Sequence, residues 1–285
     1  MRKLRHSDGA GPLKARIRLA GGAEVVTDLS KPLDIAIPLD FAAQQPGHFG
    51  APPASTQPFS VPGFSGSVAQ GASCNCNVIT LIPHCNGTHT ECAGHLTTER
   101  LDAHRQVPRG LLPALLTTIE PVDAHRCLET TEPAAQAGDK LITRRAIERG
   151  WPDTLPFQPR AMIIRTLPNE AAKIRRDYTD STPPYLSREA AEFLVARGIE
   201  HLVVDLPSID RAHDEGRLTS HRVFFGLPRG SQSLQQAARP GSTITELAFI
   251  PDEIADGPYL LEIQVPAIGG DAVPSRPLLY MFESP

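Results

Sequence analysis

Apolar positions along the chain gather in short runs broken by proline and glycine, and most of those runs have the length and residue choice of strands rather than long helices. AEVVTDLS and PLDIAIPL, within residues 23–39, predict two short strands separated by turn residues. CNVITLI, residues 76–82, reads as a buried strand that Pro83 ends. AMIIRTL, residues 161–167, is a second such strand, and its Arg165 belongs on a core face only if it reaches a cleft or an acid. LITRRAIERG predicts a strand turning into a short helix. Ser187 as N-cap, Glu189 and the alanines behind it, and Gly198 as the stop predict a helix, and HLVVDLPSID then predicts a strand ending near Asp205. Helix followed by strand in this way is typical of an α/β layer. STITELAFI, YLLEIQVPA and RPLLYMF add three β-prone runs. Glu246 and Glu262 interrupt two of them, so each points outward or has a partner that compensates its burial.

Between these runs, Gln44 to Ser67 is rich in Pro, Gly and Ser and cannot form a regular helix or a central strand, because its prolines lack donors and its glycines cost entropy. It carries Phe49, Phe59 and Phe64 and reads equally as a substrate lid or as a surface meander. With no internal repeat, 285 residues suit one compact domain over residues 23–285, preceded by an N-terminal extension at 1–22.

Charge narrows the partners. Lys plus Arg number 28 against 32 Asp plus Glu, a net charge of -4 that supplies no basic field for nucleic acid. The basic start MRKLRHSDGAGPLKARIRLAGG is not followed by an apolar core, and no apolar run is long enough to span a membrane, so the expectation is a cytoplasmic protein without membrane contact. Five cysteines are an odd number, and Cys74, Cys76 and Cys92 read as buried apolar residues rather than as zinc knuckles.

The candidate chemistry lies in HCNGTHTECAGH, residues 84–95. Cys85, His89 and Glu91 mix soft, imidazole and carboxylate donors, as a metal site that activates water requires. Gly87 allows a tight turn, and the two-residue spacing of His89 and Glu91 puts both on one side of an extended chain. His95 either completes the shell or stands beside it as a proton-transfer group. There is no G-x-S-x-G elbow to expose a serine nucleophile. Asp205, Ser208 and Asp210 read as loop-fixing hydrogen bonders more than as catalysts.

GTHTECAGH, with LSREAAEFLVARGIEHLVVDLPSID, a later S-H, an E-L pair and a terminal P-S-R-P, resembles the cyclase-like metal-dependent hydrolases, among them kynurenine formamidase and isatin hydrolase. The similarity runs in order from about Asp28 to Tyr280 and includes the family's H-x-G-T-H-x-D-x-x-x-H signature. It implies an α/β fold, a swivelling β/β/α cyclase-like domain with a mixed sheet and flanking helices. It also implies a site of one or two ions, zinc before manganese, that cleaves a C–N bond in a small formamide or cyclic amide. By the resemblance, Cys85 falls at the first ligand, His89 at the second, Glu91 at the usual aspartate, His221 and Glu246 at the two distal ligands, and His95 at the acid/base. A homodimer or homotetramer is implied in the same way.

Two departures carry physical consequences. Cys85 replaces a histidine, and a thiolate there favours zinc; His84, directly before it, could take that place only if the backbone were displaced by a residue. Glu91 replaces an aspartate and extends the carboxylate by about 1.5 Å. Opening of a cyclic imide or lactone, or metal and small-ligand binding without catalysis, are the alternatives on the same fold.

Overall fold

The computed structural model describes residues 11–20, 22 and 24–283. Its centre is a nine-stranded mixed sheet. From one edge to the other the strands are Ala272–Pro274, His89–Cys92, Thr243–Glu246, His201–Val204, Ala161–Thr166, Leu112–Ile119, Gly257–Gln264, Arg276–Tyr280 and Leu33–Asp34. The middle four, from Thr243–Glu246 to Leu112–Ile119, are mutually parallel, and every pairing outside them is antiparallel.

Parallel neighbours need crossovers, and the chain supplies them as helices Arg144–Arg149, Arg188–Ala196 and Thr219–Phe225. All six residues of Ala161–Thr166 are buried, as expected of a strand covered on both faces. Its period of two splits the core. Met162 and Ile164 face Ile147, Leu194, Phe224 and Phe225 on the helical side. Ala161 and Ile163 face Ile254, Leu261 and Leu279 on the other, where the sheet curls over itself. The α/β fold expected from the sequence is therefore the one found.

The helix predicted behind Ser187 begins there: the Ser187 hydroxyl accepts from Ala190 N at 3.0 Å, and Gly198 follows the helix at φ 76°. Arg165 does reach an acid. It is buried, donates to Asp256 at 3.0 Å, and also donates to Thr118 and to the carbonyls of Pro251 and Ile254. Glu262 accepts from the Tyr280 hydroxyl at 2.7 Å.

Two expectations are corrected. Residues 76–82 do not form a buried strand: Asn77–Thr80 pairs with Ser55–Pro58 in a two-stranded ribbon, and all eight of those residues are exposed. An apolar run of this length is the same in a ribbon as in a core strand, so periodicity alone could not separate them. Cys74 and Cys76 are exposed with it, while Cys92 is buried as expected. Lys14–Arg18 pairs with Glu24–Asp28, which in turn pairs with Phe282–Glu283. No helix among the described residues is long and apolar enough to cross a membrane.

Asp205, at the end of its parallel strand, accepts from Thr166 N, Thr166 Oγ1 and Lys173 Nζ, each at 2.8 Å. Both Asp205 and Lys173 are buried. Burial pushes the Asp205 carboxyl up, against the lowering effect of Lys173 and Thr166. Lys173→Met would leave a buried charge without its partner, and denaturant unfolding near neutral pH should show a loss of about 3–5 kcal/mol. The deficit should shrink as pH falls, because a protonated Asp205 no longer needs compensation; a loss that does not change with pH would contradict this account.

Candidate metal centre

Strand register assembles the first part of the site. His89–Cys92 is antiparallel to Thr243–Glu246, with His89 opposite Glu246 and Glu91 opposite Ile244. Alternation turns His89 and Glu91 to one face, while Thr90 bonds Thr245 and Cys92 enters a small apolar cluster on the other. Glu246 stands at the carboxyl end of a parallel strand, where open α/β sheets place their ligands. His221 comes from the buried side of helix Thr219–Phe225.

The turn before the strand differs from expectation. Gly87 is extended, with φ 165°, and the chain reverses instead through a single helical turn, Pro83–Asn86. Helical residues are rotated by about 100° from one to the next, so His84 and Cys85 point to different sides. His84 is the one that faces the site. After the strand, a 3-10 turn at Ala93–Leu96 brings back His95.

Glu91 is the hub. Its side chain is 0% exposed. His221 Nε2 lies 2.9 Å from Oε1, while His84 Nδ1 at 3.2 Å and His95 Nε2 at 3.9 Å approach Oε2. Glu246 meets His89 Nε2 at 3.4 Å and His221 Nε2 at 3.5 Å, and accepts from Ile209 N at 2.9 Å. Two groups of donor atoms converge closely enough to share an ion: His84, Glu91 and His95, and His89, Glu91 and Glu246.

Each imidazole is tied from behind. His89 Nδ1 is 2.9 Å from Gly87 O and His221 Nδ1 is 2.7 Å from Asp210, while His84 Nε2 and His95 Nδ1 lie 2.9 and 3.3 Å from one Asp271 oxygen. In the neutral rings, with the outer nitrogen donating in each case, the other nitrogen presents its lone pair to Glu91 or Glu246. His89 Nε2 and both oxygens of Glu91 are buried and take part in no aligned hydrogen bond. Buried polar atoms that approach one another without bonding, backed by donors fixed from outside, fit a cation between them.

The charges agree with that compensation. Burial raises the Glu91 carboxyl, yet the imidazoles of His221, His95 and His84 outweigh it and hold Glu91 well below the usual carboxylate range. Burial and Glu91 push Glu246 up, and His221 and His89 bring it below its ordinary value. Burial lowers His84, but the neighbouring carboxylates of Asp271 and Glu91 drive it up to about 10. The neighbouring His84 and His95 hold Asp271 far below its ordinary value.

The residues expected from the sequence thus separate. His89, Glu91, His95, His221 and Glu246 are brought together. Cys85, expected as the first ligand, belongs to neither group, and the helical turn is the reason. Its thiol is buried, and burial together with Glu246 pushes it up, away from the thiolate that binds metals. Asp271 escaped the sequence reading; its only signal is its place three residues before the P-S-R-P run. Asp210 does fix its loop, accepting from Ser220 N and His221 N, and the same carboxylate orients His221. A cavity of about 650 Å³ is bounded by Leu39, Leu81, Asn86, Gly87 and Thr88, but by none of the converging side chains.

The sequence profile of the Cyclase family, described as "Putative cyclase", matches residues 27–211. No curated protein matches the sequence. Among solved structures, a "predicted metal-dependent hydrolase from Bacillus stearothermophilus" is 17% identical, with a TM-score of 0.55 over 88% of this chain and 98% of that one. An isatin hydrolase bound to the product analogue thioisatinate is 15% identical, with a TM-score of 0.54 over 89% of this chain and 93% of that one. Isatin hydrolase A from Labrenzia aggregata, bound to benzyl benzoate, is 17% identical, with a TM-score of 0.55 over 89% and 94%. At these identities the likeness is one of fold.

For ion binding, the geometry puts His84 and not Cys85 at stake. Metal analysis of purified protein loaded with Zn(II) or Mn(II) should find the wild-type stoichiometry kept in Cys85→Ala and lowered in His84→Ala. The reverse order would return the thiol to the shell.

Proposed function

The chain belongs to the Cyclase family, and on that premise we propose that it is a metal-dependent hydrolase opening the C–N bond of a small formamide or cyclic amide. The observation that carries this reading is the set of imidazoles fixed from outside and aimed at two buried carboxylates, with Glu91 accepting no aligned hydrogen bond. The solved isatin hydrolase with its product analogue supports the cyclic-amide class, since isatin is itself a cyclic amide.

His89, Glu91 and Glu246 would hold the ion, with His221 against both carboxylates and His84, against Glu91 Oε2, as a further nitrogen donor. Nitrogen and carboxylate oxygen without sulfur suit zinc and manganese alike, so the preference for zinc that rested on Cys85 loses its ground. When bound, the ion supplies Lewis acidity toward a carbonyl and lowers the pKa of water. The chain contributes the proton chemistry. His95 is 28% exposed and can meet a substrate that Glu91 cannot. Its Nε2 accepts a proton from the attacking water as the new C–O bond forms, and returns it to the nitrogen as the C–N bond breaks, leaving a carboxylic acid and an amine.

The test is a panel of an N-formyl arylamine, isatin, a cyclic imide and a lactone, with products identified by mass spectrometry before and after chelation. Amide hydrolysis that disappears with the metal is expected, and lactone or imide opening alone would move the substrate class. Metal bound stoichiometrically without turnover of any of the four would point to a ligand-binding protein. In His95→Ala, kcat should fall by about a hundred- to ten-thousandfold at unchanged metal content. Loss of the metal in that variant would make His95 a ligand instead.

A further inference from the structure

The two most accessible imidazoles of the site share one anchor. A single oxygen of Asp271 lies 2.9 Å from His84 Nε2 and 3.3 Å from His95 Nδ1. The rings lie with centroids 4.2 Å apart, tilted by 32° to one another. His84 and His95 are 25% and 28% exposed, and the Asp271 side chain is 44% exposed, so this trio forms the open side of a site whose other members are buried.

Asp271 is held firmly although its carboxylate reaches the surface. Its carbonyl accepts from Cys92 N at 3.0 Å, and the next residue, Ala272, pairs with Glu91 in the sheet. The loop before it is pinned by Asp102, which accepts from Gly270 N at 3.1 Å, and by Gly270 O, which accepts from Ala103 N at 2.8 Å. Gly94, immediately before His95, is the residue that permits the approach. A Cβ at that position would stand 2.7 Å from Leu101 O and 3.3 Å from Asp271 Cβ. The 3-10 turn can set His95 beside Asp271 only because residue 94 has no side chain.

A carboxylate accepts and does not donate, so a hydrogen bond to it selects the ring tautomer that carries the proton on the bonded nitrogen. For His84 that is Nε2–H, which leaves Nδ1 free 3.2 Å from Glu91. For His95 it is Nδ1–H, which leaves Nε2 free toward the same oxygen. We propose that Asp271 is the positioning residue of this site, fixing in one contact the tautomer and orientation of His84 as a nitrogen donor to the ion and of His95 as the proton carrier. The ion and the hydrolysis in this statement rest on the function proposed above, but the contact of Asp271 with both rings does not.

The test compares wild type with Asp271→Asn and Asp271→Glu as full-length protein. Long-range ¹H–¹⁵N spectra of the imidazoles, assigned by loss of signals in His84→Gln and His95→Gln, read the tautomers directly. With the rings neutral, wild type should show His95 protonated at Nδ1 alone; Asp271→Asn, whose amide can donate as well as accept, should show a tautomer mixture, and Asp271→Glu should restore the single form in part. On the substrate found in the hydrolysis panel, kcat of Asp271→Asn should fall about ten- to a hundredfold with KM within about twofold, and Zn(II) affinity should fall in the same range. Unchanged His95 and His84 spectra in Asp271→Asn would overturn the proposal. Gly94→Ala supplies a second variant, and retention of the wild-type tautomers with its turn displaced would overturn it as well. A wild type that binds no Zn(II) and turns over nothing would sink the proposed function, while spectra recorded with both rings neutral would still decide for or against Asp271.

Discussion

A fully buried carboxylate governs this structure. Taking an ionised group out of water costs several kcal/mol even after relaxation, and the cost is recovered only through close opposite charge and satisfied lone pairs. Glu91 has no backbone donor to help it and no aligned hydrogen bond. What it has is three imidazoles on its two oxygens, drawn from a helical turn before its strand, a 3-10 turn after it, and a crossover helix more than a hundred residues away. The fold therefore has to bring three unrelated segments to one point, and the sheet does so by setting the Glu91 strand between the Glu246 strand and Ala272–Pro274.

Register explains why this can be accurate. A slip of one residue between His89–Cys92 and Thr243–Glu246 would turn one strand's side chains to the opposite face, sending His89 and Glu91 away from Glu246. The slip is opposed by both faces at once. Thr90 bonds Thr245 on one side, while on the other Ile244 is bound into the helical core with Phe224 and Phe225, which share a helix with His221. Packing of Phe224 and Phe225 thus also positions the imidazole, and Asp210 completes the arrangement by bonding both the backbone and the ring of His221.

How far the sequence speaks follows from the range of the interactions. Strands buried on both faces, such as Ala161–Thr166 and His201–Val204, carry their own signature, and so does a capped helix such as Arg188–Ala196. His89 and Glu91 were legible as a pair because a two-residue spacing on an extended chain puts them on one face whatever surrounds them. The choice between Cys85 and His84 stayed open in the sequence, since it depends on Pro83–Asn86 closing a helical turn where the run before it suggests continued strand. The ribbon formed by Asn77–Thr80 misleads in the same place, being apolar in composition yet exposed. Asp271 lies 176 residues from His95, and only the antiparallel edge strand makes them neighbours.

The arrangement also couples the site to stability. Glu91 and Glu246 both approach His221, and the charge of Glu91 raises the proton affinity of Glu246 while the shared ring lowers it. Without a cation, the imidazoles must carry the compensating charge themselves, as the upward shift of His84 and His221 records. With one, they would revert to neutral donors and release protons, so ion binding and proton binding would compete for the same nitrogens. An ion that binds the folded site and not the unfolded chain then adds its binding free energy to folding, by mass action. The cluster proposed to hold the ion is for this reason also an electrostatic liability when empty of charge compensation. The protein meets that liability by tying each imidazole from outside, to Gly87, Asp210 and Asp271, so that their nitrogens point at the carboxylates before any ligand arrives.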